Sequence, residues 1–321
     1  MKVSVIMPLY NAAATLQHSL DSLARQDFKD LEIVAVDDCS SDGSGELLRQ
    51  YCDSNGIAYR LIRHECNRGV AAARNTALDA AEGEYVCWLD ADDAIGQDAL
   101  SEWVDTAEAN GWDITGCEWY LTKAKSERYI VQAPFSNSAE ALKNLMAGTM
   151  RWNLWLFLVR RDAIGGLRFV EGLNMGEDMA FMCRMFMKTE KVGLIRKGFY
   201  HYWHNEQSVS RGFSDANVAQ VSANVELLAD ALRRSPFANL EDPYIDYLKL
   251  FVKLPLLVSG SRSDYIKWRQ WWPESNRAAS SNKALPSRTR LLQISATKGL
   301  WPVVWLYNFM LNKIYYGVIY R

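Results

Sequence analysis

Over the first 118 residues, short β-branched and apolar runs alternate with helix-patterned segments, and no other feature constrains the fold as tightly. Residues 3–7, 31–36, 57–62, 84–89 and 113–118 predict strands. Residues 12–25 carry Leu16, Leu20 and Leu23 at helical spacing, and 45–51, 69–81 and 97–109 predict further helices. Strands separated by helices of this kind predict parallel βαβ units. In such sheets ligands bind beyond the carboxyl ends of the strands, so polar residues just after each strand are the candidate site. The alternation loosens after Tyr120. Helices are expected over 138–147, 177–188, 218–232 and 244–257, with an aromatic, apolar stretch at 152–159. We expect an α/β domain over residues 1–215 and a helical C-terminal region over 216–321.

Four polar clusters follow four of the predicted strands. They are Pro8-Leu9-Tyr10-Asn11, the run from Asp37 to Ser44, Asn67-Arg68-Gly69 leading to Arg74-Asn75, and Asp90-Ala91-Asp92-Asp93. The second and fourth together hold six carboxylates. Like charges crowded at a sheet edge repel one another, and a hard divalent cation relieves that cost. Such a metal would bridge to a diphosphate and neutralise a leaving group. Taken alone, Asp37-Asp38 reads more readily as a capped helix start, and Asp90-Ala91-Asp92-Asp93 reads equally well as a capped turn. Two of them at the ends of separate strands of one sheet point to a site.

In their order and spacing, these clusters resemble the bacterial family 2 glycosyltransferases over residues 1–210 or so. The resemblance implies a GT-A nucleotide-diphospho-sugar transferase fold, a Rossmann-like, mostly parallel sheet flanked by helices. It implies that Pro8, Tyr10 and Asp38 line a uracil pocket, that Asn67 and Arg74 serve the nucleotide side, and that Asp90 and Asp92 form a D-x-D bound to Mn²⁺ or Mg²⁺, with Asp92 the direct ligand. Asp93 would be a further ligand or would orient one. The family also implies a Glu-Asp pair opening a later helix, which Glu177-Asp178 matches. Asp178 would then be the base that deprotonates the acceptor hydroxyl during one inverting, in-line displacement. A helix N-terminus lowers a carboxylate pKa, whereas an apolar surround such as Met175, Met179 and Phe181 raises it. The stretch 200–211 resembles the family's closing loop over the donor. His204, ahead of His201, would complete the metal shell. Trp203 stands where many relatives carry arginine, which leaves Arg211 as the phosphate contact. Glu177, Trp152 and Trp155 are acceptor-side candidates, and burial in the core is the alternative for the two tryptophans.

The donor implied is a UDP-sugar and the acceptor a glycan or glycolipid hydroxyl, with a hexose or N-acetylhexosamine transferred. A binding protein for nucleotide sugars or glycans without transfer activity is the alternative. A nucleotidyltransferase is another, although Pro8-Leu9-Tyr10-Asn11-Ala12 is not its Gly-rich basic loop. No G-x-G-x-x-G follows Met7, which argues against a nicotinamide oxidoreductase. The formal net charge of −2 gives no pull toward nucleic acid. That average hides an asymmetry, because residues 262–321 hold ten basic and two acidic side chains. With the aromatic run at 301–320, this predicts a helix lying at an anionic membrane interface, a packed terminal helix or a homodimer contact. Asn308 and Asn312 would share one face of it. The six cysteines show no C-x-x-C spacing and read as reduced thiols of a cytoplasmic protein, peripheral at most on the inner face of the cytoplasmic membrane. The chain opens on a strand-like run with no signal-peptide pattern.

Overall fold

The computed structural model describes residues 1–123, 126–203 and 213–310. His204 and Arg211 lie outside the described residues. Two compact units emerge. One comprises residues 1–141 and 152–228, the other residues 142–151 and 229–321.

The first unit is built on one mixed sheet. Strands β1 (Val3–Leu9), β2 (Leu31–Asp37), β3 (Tyr59–Arg63) and β4 (Tyr85–Trp88) are parallel and lie in the order β3-β2-β1-β4. Helices α1 (Ala13–Ala24), α2 (Ser44–Asn55) and α3 (Val70–Ala80) connect them. β1, β2 and β4 are buried almost throughout, as their unbroken apolar runs require of strands covered on both faces. The chain steps outward from β1 to β3 and returns to the other side of β1 as β4. The strand order therefore reverses between β1 and β4, where α/β sheets open a binding crevice. All four polar clusters sit at this carboxyl edge.

The parallel array ends at β4, and here the structure differs from the expectation. The next strand in the chain after α4 (Ala99–Asn110) is β6 (Ile114–Lys123), but β4 pairs instead with β8 (Phe157–Arg160), antiparallel, with Tyr85 opposite Arg160. The aromatic stretch at 152–159 thus supplies a central strand. β6 pairs antiparallel with β8 and with a strand not anticipated, β7 (Ser126–Ile130). β9 (Val192–Trp203) runs parallel to β6, and the short β5 (Ala94–Ile95) lies antiparallel against β9. Local periodicity marks a strand but carries no information about its partner or direction, which long-range pairing decides. Helices α5 (Ser138–Ala147), α6 (Arg161–Ile164), α7 (Glu177–Phe186) and α8 (Asp215–Arg233) complete the first half of the helical inventory.

The second unit contains α9 (Glu241–Val252), α10 (Leu254–Val258), α11 (Arg262–Gln270), α12 (Ser287–Thr297) and α13 (Trp301–Phe309). Lys253, fully buried between α9 and α10, ties its loops together. Its Nζ donates to the Trp271 carbonyl at 2.6 Å, to Asn276 Oδ1 at 2.8 Å and to the Trp272 carbonyl at 3.1 Å, and it lies 4.5 Å from the Trp268 ring centroid. Three acceptors and an aromatic face replace the water that burial removes. Lys253→Met keeps the stem but orphans those oxygens, and we expect urea denaturation to show a loss of about 2–4 kcal/mol. A loss below about 0.5 kcal/mol would mean that water substitutes freely. On α13, Asn308 faces inward and donates its amide to the Leu257 carbonyl at 2.5 Å. The polar face expected around Asn308 is therefore the buried one.

Candidate active site

Most of the residues at the carboxyl edge hold loops, and only some are left for chemistry. Asp37 Oδ1 accepts from the Ser40 amide at 2.7 Å. Asp42 accepts from the Ala13 amide at 2.8 Å, at the start of α1, and from the Ser44 amide at 3.0 Å. Asn11 adopts a left-handed backbone (φ 49°), and its Oδ1 accepts from the Ser41 amide at 2.9 Å. Asp42 thus takes amides at the starts of α1 and α2, whereas Asp37 holds the turn that follows β2. Tyr10 is left exposed at the end of β1, with Pro8 half-buried beneath, so Tyr10 offers a free ring face at this edge.

Asp38 is buried, and both its oxygens are used. Oδ1 lies 2.6 Å from His64 Nδ1 and accepts from the Arg68 amide at 2.9 Å, while Oδ2 accepts from the Gly69 amide at 2.8 Å. His64 Nε2 in turn meets Thr76 Oγ1 at 3.0 Å. Asp38 therefore shapes the 67–69 loop, and any contact it makes to a base uses its remaining lone pairs. The sequence reading missed His64, although its position one residue past β3 is the available signal. Asn67 Oδ1 closes the same loop on the Gly69 amide at 3.1 Å. Gly69 has φ +87°, and a Cβ there would sit 2.3 Å from the Asn174 side chain. Gly69→Ala combines a disfavoured backbone with a collision. We expect it to weaken nucleotide binding at least about tenfold, read by calorimetric titration with UDP, since roughly 1.4 kcal/mol of displaced loop suffices.

Arg74 and Asn75 are both engaged by the segment that leads into α7. The Asn75 side chain brackets the backbone of Phe169, donating to its carbonyl at 3.0 Å and accepting from its amide at 2.8 Å. Asn174 Oδ1 accepts from the Ala71 amide at 3.1 Å, at the first turn of α3. These bonds dock the segment before α7 onto α3 and bring Glu177 and Asp178 to Arg74. Arg74 Nη1 donates to Glu177 Oε1 at 2.8 Å and to Asp178 Oδ1 at 2.7 Å, and its Nη2 lies 3.6 Å from Asp90 Oδ1. The guanidinium is 6% exposed, and Phe169 lies 5.7 Å away under it. Burial works against its charge, and Asp178, Glu177 and Asp90 outweigh that cost and raise its pKa.

One cation thus serves several carboxylates. Burial pushes Glu177 up to about 8, with the Asp178 charge adding to it. Burial thus disfavours the charged form of Glu177. The sign of the linkage follows: the folded value lies above the ordinary 4.5, so this contribution to stability is full below 4.5 and fades as pH rises toward 8. Asp90, a third of whose side chain is open, is pushed up to about 6 by desolvation, with Asp178 and Asp92 reinforcing the shift and Arg74 opposing it. Burial also raises Asp92.

Asp93 is buried, and both oxygens are spent. Oδ2 accepts from the Tyr200 hydroxyl at 2.7 Å and Oδ1 from the Trp203 amide at 2.8 Å. It ties the acidic turn to β9. Trp203 is anchored through that amide, and its ring meets His18 edge-on at 5.0 Å. His201 stacks on Tyr120 at 4.8 Å and its Nδ1 lies 2.7 Å from Glu127, so it takes no part in the acidic turn. Trp155 is buried and stacks on Tyr200 at 4.1 Å, which removes it from the acceptor candidates; Trp152 stays half-buried.

Among the described residues, no three His, Cys, Asp or Glu side chains converge as a ready-made metal cage. Asp90 and Asp92 still suit a divalent cation: both are hard oxygen donors whose charged forms are disfavoured in the cluster as it stands. A Mg²⁺ or Mn²⁺ ion held by two carboxylates, with water and phosphate in the other positions, needs no larger cage.

The profile described as Glycosyl transferase family 2 matches residues 4–170. Among curated relatives, the uncharacterized glycosyltransferase EpsJ of Bacillus subtilis is 32% identical over 65% of this chain, and the match spans 62% of EpsJ. The cholesterol galactosyltransferase of Borreliella burgdorferi is 30% identical over 83% of this chain and 77% of its own length. The crystal structure of S. aureus TarS 1–349 in complex with UDP-GlcNAc has the same fold, with a TM-score of 0.70 at 20% identity, covering 98% of this chain and 92% of that one. The profile match takes in every strand of the crevice and the whole D-x-D turn, and so this chain belongs to glycosyl transferase family 2.

Proposed function

We propose that the protein is a metal-dependent, inverting glycosyltransferase that moves a hexose or N-acetylhexosamine from a UDP-sugar to a hydroxyl of a glycan or glycolipid. The unit of residues 1–141 and 152–228 carries the reaction. The observation that carries this reading is the convergence on Arg74, whose guanidinium meets Asp178 on one side and Asp90 of the acidic turn on the other. A protein that only bound glycans would have no need of a buried carboxylate pair next to a nucleotide-edge acid. The UDP-GlcNAc complex of TarS, a protein of the same fold, supports a UDP-sugar as donor.

In this mechanism Asp178 accepts the acceptor's hydroxyl proton while the oxygen bonds to the anomeric carbon. The bond from that carbon to the diphosphate breaks, and its electron pair leaves with UDP. Asp90 and Asp92 would hold a divalent cation, which would supply positive charge for a departing diphosphate. Arg74 holds Asp178 in place, and Tyr10 offers its ring to the base.

A donor screen with Mn²⁺ tests the proposal. One UDP-sugar should be hydrolysed or should raise the unfolding temperature, and Asp92→Ala should remove both effects. Stabilisation at a hundredfold excess over Kd amounts to about 2.7 kcal/mol, well within reach of a thermal scan. If every nucleotide sugar leaves the protein unaffected, the reading fails.

A further inference from the structure

We propose that α13 is a docking surface for an anionic lipid bilayer, lying along it without crossing. The outward side of this helix is made of Pro302, Val303, Trp305, Leu306, Phe309 and Met310. Its inward side is Val304 and Asn308, both buried, and the Asn308 amide is spent on the Leu257 carbonyl. A surface helix ordinarily turns its polar residues out and its apolar residues in. This one is inverted: Trp305 is 48% exposed, Leu306 53% and Met310 49%. Trp305 and Phe309 stack at 5.5 Å and so present one aromatic plate. A contiguous apolar face of this kind needs a cover.

Charge selects the cover. From Ser275 to Arg321 the sequence contains no acidic residue and seven lysines and arginines. At the start of α13, Lys298 is exposed, and the Arg269 guanidinium lies 3.4 Å from where a Cβ on Gly299 would stand. Arg288 on α12 is exposed as well. Apolar and aromatic side chains flanked by cations match a leaflet of anionic headgroups over acyl chains. No helix among the described residues is long and apolar enough to cross a membrane. None of these residues belongs to the catalytic crevice, so the inference stands apart from the choice of donor.

Co-sedimentation of the full chain with vesicles tests it. Binding is expected to phosphatidylcholine vesicles containing phosphatidylglycerol, and to fall at least about tenfold with pure phosphatidylcholine or at high salt. The double variant Trp305→Glu/Leu306→Glu changes only exposed positions and should abolish binding while leaving UDP-induced thermal stabilisation intact. Lys298→Glu/Arg288→Glu should weaken binding to the anionic vesicles alone. Failure of the wild type to bind, or equal binding by the Trp305→Glu/Leu306→Glu variant, overturns the proposal. So does a concentration-dependent dimer dissociated by that variant, which would assign the face to a second copy of the chain.

Discussion

Asp178→Asn is expected to bind UDP and Mn²⁺ as the unaltered protein does and to transfer sugar about a hundred- to ten-thousandfold more slowly, the usual contribution of a positioned general base. The substitution is nearly isosteric, and an asparagine Oδ1 can still accept from Arg74 Nη1, so the fold around the site should survive. The neighbouring carboxyl provides the contrast. Burial and the Asp178 charge disfavour the ionised form of Glu177, and glutamine imitates its protonated form. Glu177→Gln should therefore cost less than about tenfold in kcat, well short of a base's contribution. Single-turnover transfer measured beside calorimetric titration with UDP separates the two variants. If Asp178→Asn transfers at full rate, or if Glu177→Gln is the slower of the two, the base has been misassigned.

Arg74→Leu should be the most damaging substitution for stability. The guanidinium is buried and meets Glu177, Asp178 and Asp90, and removing one partner of a buried ion pair typically costs about 3–5 kcal/mol because the others are left desolvated and mutually repelling. Urea denaturation reads this directly. Two additions should return part of the loss for the same electrostatic reason: Mn²⁺, by screening Asp90, and Glu177→Gln in the same chain, by making one acid permanently neutral. A loss below about 1 kcal/mol, or none recovered by Glu177→Gln, would mean that the cluster is held by packing around Phe169 and not by charge.

The crevice edge was legible because its signals are local. A buried strand reads as an apolar run, a strand end as the polar break after it, and the D-x-D turn as acids at a fixed place. Asp90, Asp92 and Asp178 could be singled out as candidates on that basis together with the family's motif order. Asp93 could not be assigned a role. Its partners, Tyr200 and the Trp203 amide, stand 107 and 110 residues away, and only the pairing of β5 with β9 brings them near. Trp155 failed as an acceptor candidate for a related reason. An aromatic residue in a short apolar run looks the same whether the run becomes a binding loop or leads into a central strand, and here it leads into β8.

Four strand-end clusters, a helix opening on Glu177-Asp178 and membership in the family were determined by the sequence alone, because each depends on residues within a few positions of one another. The tertiary structure decided what those residues do. Asn75 and Asn174 dock the Phe169–Asn174 stretch onto α3, and this places Arg74 between Asp178 and the acidic turn. The same holds at the other end of the chain, where the Leu257 carbonyl draws Asn308 inward and leaves Trp305 and Leu306 outside. In both places a buried polar group must find its partner, and that partner lies far along the chain, where no local periodicity can reveal it.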